Sequence, residues 1–205
     1  MPGRLFLTRP MAEVADWMDA DPGGLADPPR YNITPGQDVV VCGPSRRLEH
    51  MRWGVIPVGR VNARGRPVLE AIINARSESV FDKTAFAGVG QALIPVDGWY
   101  EWTGKSRRKL AWRLKEKYGS LLAFAAITDV WVAPGGSEVA QTAAITCPPS
   151  DDVAHIHHRM GVLLTPDQFD VWLTGEADDV KPLLQPFPAG RILGEPAEGV
   201  DWSAP

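Results

Sequence analysis

A chain of 205 residues that is 44% hydrophobic carries enough apolar side chain for a sizeable core, and its length fits one domain. A formal charge of −4 excludes a protein that coats nucleic acid by bulk charge, while leaving room for a local basic groove. No apolar run is long enough to cross a bilayer, the start lacks the basic-then-apolar layout of a secretory signal, and two cysteines without a Cys-x-x-Cys pair, Cys42 and Cys147, exclude a disulfide framework, so the expected setting is the cytoplasm.

In chain order, Pro10 to Ala20 predicts the first helix, with Met11, Val14, Ala15 and Trp17-Met18 on one stripe and Pro10 suited to the first turn. The breakers Asp21-Pro22-Gly23-Gly24 end it. Asp38 to Cys42 reads as a buried strand and Leu48 to Val55 as its successor. Further strands are expected over Ala92 to Val96, Tyr100 to Thr103, Leu110 to Leu114, Leu121 to Ile127, Ala140 to Thr146 and Met160 to Leu164. Thr165-Pro166-Asp167-Gln168 is a capping-box start for a second helix that stops near Gly175. From Lys181 onward the prolines and glycines predict a poorly structured tail packed on or trailing a domain of residues 1–180. Strands outnumber helices, which predicts a single α+β domain around a curved, mostly antiparallel β-sheet or barrel with a few flanking helices.

The chemistry lies in four places. Met1-Pro2-Gly3-Arg4 puts a small residue after Met and a basic one close behind. Ile73-Asn74-Ala75-Arg76-Ser77-Glu78 is a polar cluster, read as a strand end entering a helix. In Val96-Asp97-Gly98-Trp99-Tyr100-Glu101-Trp102, period-2 alternation sends Glu101 wherever Trp99 points. If that face is inward, an apolar surround raises the Glu101 pKa toward the range useful for proton transfer; if outward, the segment is a surface hairpin. The fourth place is Thr146-Cys147 with His155-Ile156-His157-His158-Arg159-Met160. Its histidines lack cysteine or carboxylate partners at ligand spacing, so no metal is expected. A Cys147-His157 nucleophile pair stays open beside the reading of Cys147 as core filler.

Together and in this order the blocks resemble the SOS response-associated peptidase (SRAP) family of abasic-site processing proteins. Gly3-Arg4, residues 31–35 (Tyr-Asn-Ile-Thr-Pro), 51–57 (Met-Arg-Trp-Gly-Val-Ile-Pro), 73–78, 95–102 and 156–160 carry the resemblance, over most of residues 1–175. It implies an SRAP-like fold, no cofactor and a monomer. The implied partner is single-stranded DNA containing abasic sites, or its junction with duplex, which makes the protein nucleoid-associated when bound. It also implies self-removal of Met1 and a covalent protein-DNA crosslink through a cysteine at the second position. By resemblance Asn74 orients the N-terminal residue, Glu101 serves as acid and base, and His157 transfers a proton during sugar-ring opening. Arg4, Arg76 and Arg159 would contact phosphates, Trp53 would stack on a base and Thr146 would line the pocket.

The chain departs from the family where the chemistry matters most. Pro2 stands where the family has its reactive cysteine, and without that sulfur the stable thiazolidine with the sugar aldehyde cannot close. Pro2, as a terminal secondary amine, would still form a transient iminium and support an abasic-site lyase. The alternatives are a non-catalytic paralogue that only binds the lesion, an altered start of a cysteine-bearing parent, and the Cys147-His157 hydrolase. His158 stands where the family often has Asp and Gly161 where it often has Pro, which predicts a weaker partner for the neighbouring arginine and a looser strand start.

Overall fold

The computed structural model describes residues 2–57, 64, 70–82, 88–105, 109–133 and 135–203. In chain order these form β1 (Arg4–Leu7), α1 (Met11–Met18), β2 (Arg30–Ile33), β3 (Asp38–Cys42), β4 (Leu48–Trp53), β5 (Asn74–Arg76), β6 (Gly90–Val96), β7 (Gly98–Thr103), β8 (Leu110–Glu116), β9 (Leu122–Val132) and β10 (Glu138–Cys147). There follow α2 (Asp151–Ala154), β11 (Met160–Gly161), β12 (Leu163–Leu164), α3 (Phe169–Thr174), α4 (Ala177–Val180) and β13 (Ile192–Pro196). No helix among the described residues is long and apolar enough to cross a membrane.

Two sheets make up the molecule. Five antiparallel strands run in the order β13-β8-β7-β1-β2, and the larger sheet runs β11-β10-β4-β3-β6-β9-β12 with β5 added on β10. Because β10 pairs antiparallel with β9 and parallel with β4, the ring β4-β3-β6-β9-β10 closes on itself as a five-strand barrel. Closure removes the exposed edges that an open sheet of this apolarity would present. The runs Val39–Cys42, Leu93–Ile94, Leu122–Ile127 and Ala143–Ile145 are all buried, as expected for strands covered on both faces. The two sheets meet through Trp99 of β7, whose ring lies edge-on to Phe124 of β9 with centroids 5.6 Å apart.

The predicted strands form, and the architecture is the expected α+β single domain. Two local expectations are corrected. Asn74–Arg76 does not lead into a helix: it pairs parallel with Ala144–Thr146 of β10, and residues 77–82 form turns. The expected unstructured tail is also part of the fold, since β13 pairs along the whole of Trp112–Glu116 in β8. The reason is polar anchoring. Asp152 accepts hydrogen bonds from the backbone N–H groups of Gly190, Arg191 and Ile192 (2.9, 3.1 and 3.0 Å), and the Arg191 side chain donates to buried Glu116 at 3.0 Å. Backbone pairing through these fixed acceptors offsets the poor strand propensity of a Gly- and Pro-rich segment.

Candidate functional site

The site forms where the start of the chain lies along β7. The ladder pairs Leu5 with Trp99 and Arg4 with Tyr100, so the chain start runs toward the Glu101 end of β7. Such close approach of three strands depends on Gly98. A Cβ there would lie 2.1 Å from the Leu114 carbonyl oxygen and 2.7 Å from the Phe6 ring, closer than any side chain tolerates. Asp97, in the turn before β7, fixes the other end of β1: its carboxylate accepts from Thr8 N–H (2.6 Å), Thr8 Oγ1 (2.7 Å) and Arg9 Nε (2.9 Å).

Asn74, at the head of β5, reaches the chain start directly. Its Nδ2 donates to the Pro2 carbonyl oxygen at 2.8 Å, and Pro2 is buried. The Asn74 Oδ1 is buried and, among the described residues, without a partner, so an acceptor is left beside Pro2. Buried acceptors are ordinarily satisfied, and an unsatisfied one at a cleft is a place for a ligand or water to bond.

Glu101 points inward with Trp99, and only 3% of it is exposed. Burial pushes its pKa up, with the Trp99 indole and His158 partly opposing the rise. The electrostatic coupling is mutual, because Glu101 in turn favours the charged form of His158. The His157 and His158 imidazoles stack with centroids 4.3 Å apart. His157 Nδ1 is pinned by the backbone of Arg159, 3.0 Å from its nitrogen and 2.9 Å from its carbonyl oxygen. Burial, with the adjacent Arg159 charge, holds the His157 pKa below its ordinary value, so the imidazole is neutral at physiological pH and able to accept a proton. Asn74 of β5 is thus bonded to Pro2 at the chain start, and Glu101 of β7 interacts electrostatically with His158 in the loop after α2.

The residues expected to touch DNA divide. Arg76 is exposed. Arg4 is half-buried, with Nη1 donating to Asn32 Oδ1. Arg159 is committed to the protein instead. Its guanidinium makes a two-pronged pair with Glu78 (2.7 and 2.9 Å), and it also donates to Thr146 Oγ1 (3.2 Å) and to the Thr146 carbonyl oxygen. Thr146 is fully buried, its hydroxyl also bonded to the Ala75 carbonyl oxygen, so it ties β5, β10 and Arg159 together rather than lining a DNA contact. Trp53 is likewise corrected. It is 0% exposed, with Nε1 donating to the Ile73 carbonyl oxygen at 3.0 Å, which makes it a core residue and no platform for a base.

Cys147 is fully buried, and burial pushes its thiol up to about 12. A thiol held there forms almost no thiolate near neutrality. Sequence reasoning passed over Glu78, the partner that fixes Arg159, and Trp202, whose ring packs on Tyr100 and Trp102. Glu78 lies in the block that carries Asn74 and Arg76, the one available hint. Trp202 had no hint beyond being an aromatic residue in a polar tail.

Fold and site define a β-barrel protein of α+β class that buries Pro2 against Asn74 and carries a buried glutamate on the strand paired with β1. The sequence profile described as "SOS response associated peptidase (SRAP)" matches residues 1–197, and the chain belongs to that family. It is 33% identical over 171 residues to the Bacillus subtilis abasic site processing protein YoqW, covering 78% of this chain and 75% of that one. It is 32% identical over 202 residues to the B. subtilis abasic site processing protein YoaM, covering 92% and 87%. The chicken abasic site processing protein HMCES is 29% identical over 152 residues, 62% of this chain and 45% of that protein. Crystal structures of proteins from Bacteroides thetaiotaomicron (TM-score 0.81, 19% identity, 96% of this chain and 92% of that one) and Bordetella bronchiseptica (TM-score 0.79, 22%, 96% and 99%) share the fold.

Proposed function

We propose that this protein processes abasic sites in DNA, binding a single strand, or its junction with duplex, so that the ring-opened sugar enters the cleft beside Pro2. The observation that carries the reading is the hydrogen bond from Asn74 to the Pro2 carbonyl, with buried Glu101 on the strand paired with β1. A lesion without a base has no edge to read, so recognition rests on backbone, stacking and the reactive carbonyl. Exposed Arg76 supplies a cation for a flanking phosphate.

The chemistry follows from Pro2. Once Met1 is removed, Pro2 presents a secondary amine with a pKa of about 8, enough of it neutral at physiological pH to attack C1′ of the aldehyde. Glu101, whose pKa burial raises, gives its proton to the departing hydroxyl of the carbinolamine, so water leaves and an iminium forms. The iminium acidifies C2′. The Glu101 carboxylate or neutral His157 takes the C2′ proton, and the 3′ phosphate departs with its bonding electron pair. Water then hydrolyses the iminium and frees Pro2. No sulfur is present to close a thiazolidine, so the crosslink is transient and the outcome is strand scission.

Intact-protein mass spectrometry before and after incubation with an abasic oligonucleotide, with and without borohydride, tests this. The expected result is a chain lacking Met1, a borohydride-trapped adduct on Pro2 and a cleaved strand. Salt-sensitive binding of the abasic strand by the Met1-free protein with no trapped adduct would replace this reading with lesion binding alone. The buried thiol with its raised pKa argues against the Cys147-His157 hydrolase, and adduct formation unchanged in Cys147→Ala would remove it.

A further inference from the structure

The face of the five-stranded sheet opposite Glu101 carries a second feature next to the chain start. It holds Tyr100, fully covered in this structure, and half-buried Trp102, with Arg4 directly opposite Tyr100 in the ladder. The guanidinium of Arg113, in β8, lies 5.9 Å from the ring centroids of both Tyr100 and Phe6. Aromatic rings interleaved with arginines make a surface suited to the bases and phosphates of a single strand. In this structure a ring already occupies it. Trp202 stands edge-on to Tyr100 (centroids 5.0 Å apart, 78°) and tilted on Trp102 (5.5 Å, 54°), with the Arg4 guanidinium 5.9 Å from its centroid.

The segment that brings Trp202 there leaves the β13–β8 ladder after its last bond, from Ala197 N–H to the Ala111 carbonyl oxygen at 2.9 Å. Beyond it, Asn32 Nδ2 donates to the Asp201 carbonyl oxygen over 3.4 Å, and Ser203 N–H and Oγ donate to Asp201 Oδ1. Trp202 stays 37% exposed, and it lies past residue 197, where the family match ends. The strap carries Glu198 and Asp201 shortly before Trp202 in the chain.

We infer that Arg4, Tyr100, Trp102 and Arg113 form a nucleobase subsite for a nucleotide flanking the lesion, and that Trp202 fills this subsite until a single strand displaces it. The inference rests on the reading that the protein binds single strands. It places next to the cleft the stacking surface that Trp53, buried in the core, does not provide. A ring held on the same chain competes at high effective concentration, so the measured affinity equals that of the open subsite multiplied by the fraction of time the strap is away.

The test compares the full chain with Trp202→Ala, Trp202→Phe and Trp102→Ala/Trp202→Ala, by fluorescence anisotropy of a labelled oligothymidylate with and without one abasic site. Trp202→Ala should bind the undamaged strand about tenfold more tightly, Trp202→Phe should stay near the unsubstituted protein, and the double variant should lose the gain. Equal or weaker binding by Trp202→Ala, or a gain that survives Trp102→Ala, overturns the inference, as does failure of every variant to bind undamaged strand. Adduct formation by mass spectrometry is read separately. If the adduct is absent and the Trp202→Ala gain holds, the lesion chemistry fails and the subsite stands; an adduct without the gain gives the reverse.

Discussion

Glu78→Gln is the sharpest test of how the site is braced. Glu78 receives both prongs of the Arg159 guanidinium at 2.7 and 2.9 Å, and that pairing holds its carboxyl at about 2 instead of the ordinary 4.5. At about 1.4 kcal/mol per tenfold change, the fall corresponds to at most about 3 kcal/mol. The Glu78 side chain is 51% exposed, however, and solvent screening reduces the contribution to about 1 kcal/mol. The sign follows from the direction of the shift. A folded-state pKa below the unfolded one adds stability above pH 4.5, and that stability is lost as the pH falls toward 2. Urea unfolding of the unsubstituted protein and Glu78→Gln should therefore differ by about 1 kcal/mol at pH 6, with the gap narrowing steadily below pH 4.5. Measuring the difference between the two proteins removes the parallel contributions of Glu116 and Asp152, whose carboxyls are also held low while paired. A gap that is absent at pH 6, or constant down to pH 3, would refute the claim that this pair clamps Arg159 and, through it, the His157 ring.

Two further outcomes follow from the same geometry. Gly161→Ala sets a Cβ 2.0 Å from Phe124 Cε1, inside a fully buried ring contact, and should destabilise the protein by about 2 kcal/mol, lowering Tm by roughly 6 °C in a calorimetric scan; an unchanged Tm would mean β11 shifts without cost. Glu101→Gln keeps shape and hydrogen-bonding capacity but holds no acidic proton, so the single-turnover rate of borohydride trapping should fall by about 10²- to 10⁴-fold while affinity for the abasic strand stays the same. A trapping rate within a few-fold of the unsubstituted protein would take Glu101 out of the chemistry.

The alternation after Gly98 tied Glu101 to the face of Trp99, while the inward turn of that face was decided by the fold, where both are buried. The strands β3, β6, β9 and β10 were legible, each being a continuous apolar run. Other features resisted local reading. Trp53 and Thr146 looked like groove residues, yet both are fully buried, because β5 docks on β10 beside them. Arg159 looked like a phosphate contact until Glu78, 81 positions away in the chain, was found to occupy it. Gly161, expected to loosen a strand start, is instead the residue whose missing side chain leaves room for Phe124.

The sequence by itself determined the residue types and the alternation that make an acid, an amide and an imidazole available, together with a proline at the second position. These are properties of side chains and of neighbours two residues apart, and a period of two carries them. The tertiary structure alone decided which groups are free to meet DNA. Barrel closure brings β5 against β10 and ties up Thr146 and Arg159, while β13 carries the tail around to lay Trp202 on Arg4. Those pairings join residues far apart in the chain, where burial and hydrogen-bond competition, rather than local preference, set the outcome.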